Sequence, residues 1–84
     1  MPIVPPHLRS IVHQDGAVIL DIPRDQMVTL NPTGGYIWDK LQQGKTVDEV
    51  IHDLAADSNT DLSVVERDVH AFLEQLTSKH LLHG

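Results

Sequence analysis

The spacing of apolar residues changes once along the chain. Up to residue 30 they come in short β-branched blocks bounded by turn residues, and beyond residue 31 they recur every three or four positions. Ser10 to His13 is a short β-prone piece. Asp15-Gly16 follows as a two-residue hairpin signal, since a type I′ turn takes positive φ at both central positions. Ala17 to Ile22 reads as a second strand. Pro23 closes it, because proline is pre-set in φ for a turn and cannot serve the ladder. Gln26 to Leu30 reads as a third strand, and the short connections predict an antiparallel meander in the order 1-2-3.

Three helices are predicted next. Asn31-Pro32 is a start signal, with Asn as cap and Pro at the first helical position. Ile37, Trp38 and Leu41 form the apolar face, and Gly44 is the stop. Gly34-Gly35 in the first turn is costly by ~1 kcal/mol per glycine relative to alanine, so something is expected to pack close to the backbone there. Thr46 and Glu49 have capping-box spacing ahead of the stripe Val47, Val50, Ile51 and Leu54. Ser63 and Glu66 repeat that spacing ahead of Val65, Val69, Phe72 and Leu76, which predict the longest helix, to about Ser78. Leu81-Leu82 should fold back on the core. Residues 1–8, with three of the five prolines, are expected to form an extended arm before a domain over 9–84. The fold class is α+β, three short strands followed by three helices.

Length and composition narrow this picture. Eighty-four residues hold one domain, because a chain of this size buries only ~60–65% of its unfolded surface. One Phe, one Trp and one Tyr leave the core to aliphatic residues. The absence of cysteine removes disulfides, thiolate metal sites and a Cys nucleophile. Residues 1–6 lack the basic region and long apolar run of a signal peptide. No stretch approaches the ~20 apolar residues of a membrane span, so a cytoplasmic protein without membrane association is expected. Net charge is −6, and the six Lys and Arg are scattered. Nucleic-acid binders concentrate such residues on one face, so DNA or RNA is disfavoured.

Little chemistry stands out. The six histidines are spread along the chain without metal-ligand spacing. No serine has a supporting base and orienting group. Gly34-Gly35 lacks the rest of a phosphate-binding motif, so close packing is the better reading. No enzyme, metal or cofactor is expected. What remains is an edge. Gln26, Met27, Val28, Thr29 and Leu30 carry neither charge nor proline, the usual devices that blunt an exposed strand. Such an edge is covered by the protein's own chain, used for strand addition, or paired with a second copy as a homodimer. A groove between this strand and the third helix would be lined by Val28, Leu30, Val69 and Phe72. Asp68, at the margin of the helix stripe, could meet a basic ligand group.

Asp15-Gly16-Ala17-Val18-Ile19-Leu20-Asp21, then Leu30-Asn31-Pro32-Thr33-Gly34 with Ile37-Trp38 and Leu41, resemble the PqqD-like family of precursor recognition elements for ribosomally made, post-translationally modified peptides (RiPPs). Gly44 to Val50, Asp68-Val69 with Phe72-Leu73 and Leu76, and Leu81-Leu82 continue the likeness over residues 9 to 83. The stand-alone length and the Asp15–Asp21 strand look most like the small recognition protein of lasso-peptide biosynthesis. There are two departures from the pattern. Gln26-Met27-Val28 stand where an aromatic is often found, and His80 where a glycine commonly precedes Leu-Leu.

The resemblance implies a winged-helix-like domain that binds a leader peptide antiparallel to the third strand and beside the third helix. The contacts it implies are Gln26, Met27, Val28, Thr29, Leu30, Val65, Asp68, Val69 and Phe72. It also implies delivery of that leader to a leader peptidase or another modifying enzyme. A PqqD-type chaperone for a radical SAM enzyme, or a winged-helix DNA-binding domain, are the alternatives.

Overall fold

The computed structural model describes residues 3–82. Its elements follow one another as β1 (Arg9–His13), β2 (Gly16–Asp21), a 3-10 turn (Ile22–Arg24), β3 (Gln26–Leu30), α1 (Pro32–Gln42), α2 (Val47–Ser58) and α3 (Leu62–Ser78). The three strands form one antiparallel sheet in the order β1-β2-β3. Three strands followed by three helices is the α+β arrangement that the change of period predicts.

Register decides which side chains face the helices. Ala17 pairs with Leu30 and Ile19 with Val28, and all four are buried. The alternate positions Ile11 and Met27 are exposed on the opposite face, as a period of two requires. Trp38, fully buried, sits in the core with Ile37 and Leu41 of α1, Val50 and Ile51 of α2, and Val65, Val69 and Leu76 of α3. Each fully buried aliphatic side chain stabilises the fold by roughly 1.5–3 kcal/mol. Ahead of β1, Leu8 also enters the core and Pro5 is buried.

The helix that lies on the sheet is α1, packed mainly against β2, whereas α3 packs chiefly on α2. Glycine permits the close approach. A β-carbon on Gly35 would stand 2.8 Å from the carbonyl carbon of Gly16. The close packing expected at Gly34-Gly35 is found, and at Gly35 its partner is the start of β2.

Helix ends follow local chemistry. Asn31 caps α1, its side chain accepting from the Gly34 N–H at 2.7 Å. The other end closes with Gly44 at φ 85°, its N–H donating to the Leu41 carbonyl while Lys45 N–H donates to that of Lys40, a Schellman motif. The Thr46–Glu49 capping box forms as predicted. These hydrogen bonds, chiefly from the Thr46 N–H, hold the Glu49 carboxyl below its ordinary value. Tyr36 on α1 donates to Asp57 on α2 at 2.6 Å. Burial first, then this bond, pushes its pKa up to about 12.

Two local expectations are corrected. Residues 14 and 15 make the β1–β2 turn, since His13 pairs with Gly16. Positive φ falls on Gly16 alone, so the turn is not type I′. Gly16 instead tolerates the Leu30 carbonyl, which leaves no room for a side chain. Secondly, Ser63 does not cap the last helix. Asp61 is the N-cap of α3 and its side chain makes no capping bond. Its carbonyl takes the Val64 and Val65 N–H groups at 3.1 Å, which starts the helix two residues earlier than the serine motif implies.

Leu81 and Leu82 do return to the core. The return is made by His80 at φ 62°, with His80 N–H donating to the Thr77 carbonyl and Leu81 N–H to that of Leu76 at 2.8 Å. At the far end of the sheet, Asp21 is buried, and neither carboxylate oxygen has a hydrogen bond. His7 Nε2 and Arg24 Nε each approach it to 3.4 Å. The carboxylate thus ties the segment ahead of β1 to the β2–β3 turn.

Candidate functional site

The edge strand β3 pairs with β2 on one side only. Among the described residues, no other backbone segment hydrogen-bonds to its outer side. In an antiparallel ladder every other residue of an edge strand turns its N–H and C=O away from the neighbouring strand, so β3 presents a row of free donors and acceptors.

Beside this edge runs a trough. Because α3 packs on α2, it flanks β3 without closing on it. One cavity of about 170 Å³ lies between them, lined by Val28, Thr29, Leu30, Asn31, Phe72, Gln75, Leu76 and Lys79. A second, of about 390 Å³, continues between α3 and the start of α1, where Asn31, Gly34, Ile37, Asp68, Phe72 and Gln75 lie along it. Asn31, Phe72 and Gln75 border both, which makes the trough continuous. The larger part reaches the ~300–1,000 Å³ of small-ligand clefts; the smaller is a side-chain pocket.

The nine residues singled out from sequence divide here. Val28, Thr29, Leu30 and Phe72 meet around the smaller cavity, and Asp68 borders the larger one. Val65 and Val69 are buried and line neither cavity. Gln26 and Met27 lie at the β2–β3 turn, where they border a separate hollow with Asp21 and Asp25. The trough also takes in Asn31, Gln75, Leu76 and Lys79, which sequence reasoning missed. The available signal was the stripe Asp68, Phe72, Gln75, Lys79 at i, i+4, i+7 and i+11, one helical face beside the buried stripe.

Gly34 sets the depth of the trough. A β-carbon there would lie 3.0 Å from Phe72 Cε1, so the ring is seated over the first turn of α1. Phe72 is only half-buried and keeps part of its edge toward the trough. The arrangement offers main-chain hydrogen bonds on one wall and apolar surface with polar margins on the other. Among the described residues, no group of three or more His, Cys, Asp or Glu is placed to hold a metal ion, and no helix is long and apolar enough to cross a membrane.

Comparison with known proteins places this geometry in context. No curated protein matches the chain. Among solved structures, TbiB1 in complex with the TbiA(beta) leader peptide is 30% identical with a TM-score of 0.91, over 98% of this chain and 95% of that one. A lasso peptide synthetase B1 complexed with its leader peptide is 22% identical with a TM-score of 0.87, over 99% and 98%. The PqqD truncation of Methylobacterium extorquens PqqCD, a stand-alone RiPP recognition element solved by solution NMR, is 22% identical with a TM-score of 0.79, over 99% and 88%. The latter two share the fold. The family described as Coenzyme PQQ synthesis protein D (PqqD) matches residues 16–82, and with that span the chain belongs to the PqqD family.

Proposed function

We propose that this protein binds the leader region of a ribosomally made precursor peptide as a fourth strand on β3, antiparallel to it and beside α3. It then delivers the leader to a leader peptidase or another modifying enzyme of lasso-peptide biosynthesis. It performs no chemistry itself. The observation that carries the reading is the free outer edge of β3 with an open trough along it. TbiB1, 30% identical over nearly the whole chain, is solved in complex with a leader peptide, which supports a leader peptide as the guest.

A free leader is disordered and loses roughly 2–5 kcal/mol in ordering on binding. Main-chain bonds along β3 and apolar anchors against Phe72 and Leu30 exceed that cost and leave affinity on the order of submicromolar. Holding the leader raises the effective concentration of its cleavage site near the enzyme.

Titration calorimetry with a synthetic leader peptide, taken from the precursor of the same pathway, tests the reading. Submicromolar binding is expected. It should be lost when alternate leader amides are N-methylated, and weakened at least tenfold in Phe72→Ala. No binding by the wild-type protein, or binding indifferent to both changes, overturns it.

A further inference from the structure

The two cavities of the trough are bordered by only two charged residues, one at each end: Asp68 in the larger and Lys79 in the smaller. Both are exposed, and neither belongs to an ion pair among the described residues. They lie on one face of α3, since an i, i+11 spacing returns within about 20° of the same direction. About 16 Å of helix axis separates them. Between them the borders are apolar or uncharged: Val28, Leu30, Asn31, Phe72 and Gln75.

Their order along the guest follows from the chain directions. Asp68 borders its cavity together with Thr33 and Ile37, beyond the end of β3, whereas Lys79 lies with Val28 and Thr29. Thus α3 runs opposite to β3, and a guest strand antiparallel to β3 runs parallel to α3. It passes Asp68 first and Lys79 later. At ~3.4 Å per residue, 16 Å corresponds to about five residues of extended chain.

We infer that the trough reads the charge order of its guest: a basic side chain upstream at Asp68, and an acidic one about five residues downstream at Lys79. The inference rests on the strand-addition reading above. With the order reversed, each charge meets its like, so the same pair sets direction as well as composition. A lysine at the end of α3 also complements the helix dipole, and for that reason the test reads affinity rather than stability.

The probes are two synthetic peptides made on the leader that binds in the calorimetry. One carries Lys upstream and Glu five residues on, and the other has the two exchanged. Wild-type protein should prefer the first. Asp68→Asn and Lys79→Gln should each weaken it about two- to fivefold at low salt, the range of an exposed ion pair, with the loss shrinking as salt rises. The double variant Asp68→Lys/Lys79→Glu should prefer the exchanged peptide. Equal affinities across peptides and variants, or a wild-type preference for the exchanged order, overturn the inference while leaving strand addition intact. Failure of the parent leader to bind overturns the strand-addition reading instead.

Discussion

Gly35 and Gly16 meet backbone to backbone, close enough that a single added methyl on Gly35 would fall 2.8 Å from the Gly16 carbonyl carbon. Backbone cannot swing aside as a side chain can. A clash with backbone belongs at the upper end of the ~1–3 kcal/mol of overpacking, so Gly35→Ala is expected to lose about 1–2 kcal/mol net of the ~1 kcal/mol that alanine gains in an isolated helix. Urea unfolding followed by the fluorescence of Trp38, the one tryptophan, measures it. A variant as stable as the parent would contradict this contact.

Gly34, one residue earlier, should behave differently. The nearest atom to its absent β-carbon is Phe72 Cε1 at 3.0 Å, the rim of a half-buried ring. The ring can yield toward the trough, so Gly34→Ala should change stability by less than about 1 kcal/mol. The displaced ring narrows the cavity, and leader affinity should fall. Calorimetry beside urea unfolding separates the two effects.

His80 occupies a left-handed conformation, φ 62°, at the turn that brings Leu81 back to the core. For a residue with a β-carbon this region costs roughly 1–2 kcal/mol. His80→Gly should recover most of that, less the entropy that glycine adds to the unfolded chain. The expected gain is about 1 kcal/mol, raising Tm by roughly 4–8 °C for a domain of this size. A lower Tm would mean that the imidazole makes a compensating contact.

Alkaline pH should expose the Tyr36–Asp57 link. The Tyr36 phenol is raised to about 12 from its ordinary 10.0. Its contribution is therefore complete below pH 10 and lost as pH rises through 12. Tyr36 is the only tyrosine, so phenolate absorbance titrates it alone. Asp57→Asn should bring the midpoint down without reaching the ordinary value, because burial, the larger cause, remains. Tyr36→Phe should flatten the fall in stability across this window.

The capping box of α2 gives the acid counterpart. Glu49 accepts from the Thr46 N–H at 2.8 Å while Thr46 Oγ1 accepts from the Glu49 N–H at 3.1 Å. With its pKa below the ordinary 4.5, Glu49 contributes stability above that pH, and loses it as pH falls through the lowered value. Glu49→Gln should show a shallower acid limb in an unfolding series against pH. Thr46→Ala should lose about 1 kcal/mol at neutral pH.

Much of this molecule is legible in its sequence because local chemistry agrees with global packing. Gln26 to Leu30 and Asn31-Pro32 carry their own strand and cap signals, and the structure places β3 and the start of α1 there. The misreadings arise where a residue serves a distant neighbour. Gly16 looks like a turn residue, yet it is glycine so that the Leu30 carbonyl can pass. Ser63 has cap chemistry, but Asp61 takes the position two residues earlier. Val65 and Val69 show the apolar period of a lining face, and that period cannot distinguish a cavity wall from the core behind it. Only packing of α3 on α2 turns Asp68, Phe72, Gln75 and Lys79 toward the edge strand.

The helix α3 carries two stripes side by side, one sunk among aliphatic residues and one along the open trough. On the strand-addition reading proposed above, substitutions at Asp68, Gln75 or Lys79 alter which guest is admitted without disturbing Val65 or Val69. Recognition and foldedness are thus free to diverge independently, and related chains can acquire new clients on an unchanged scaffold.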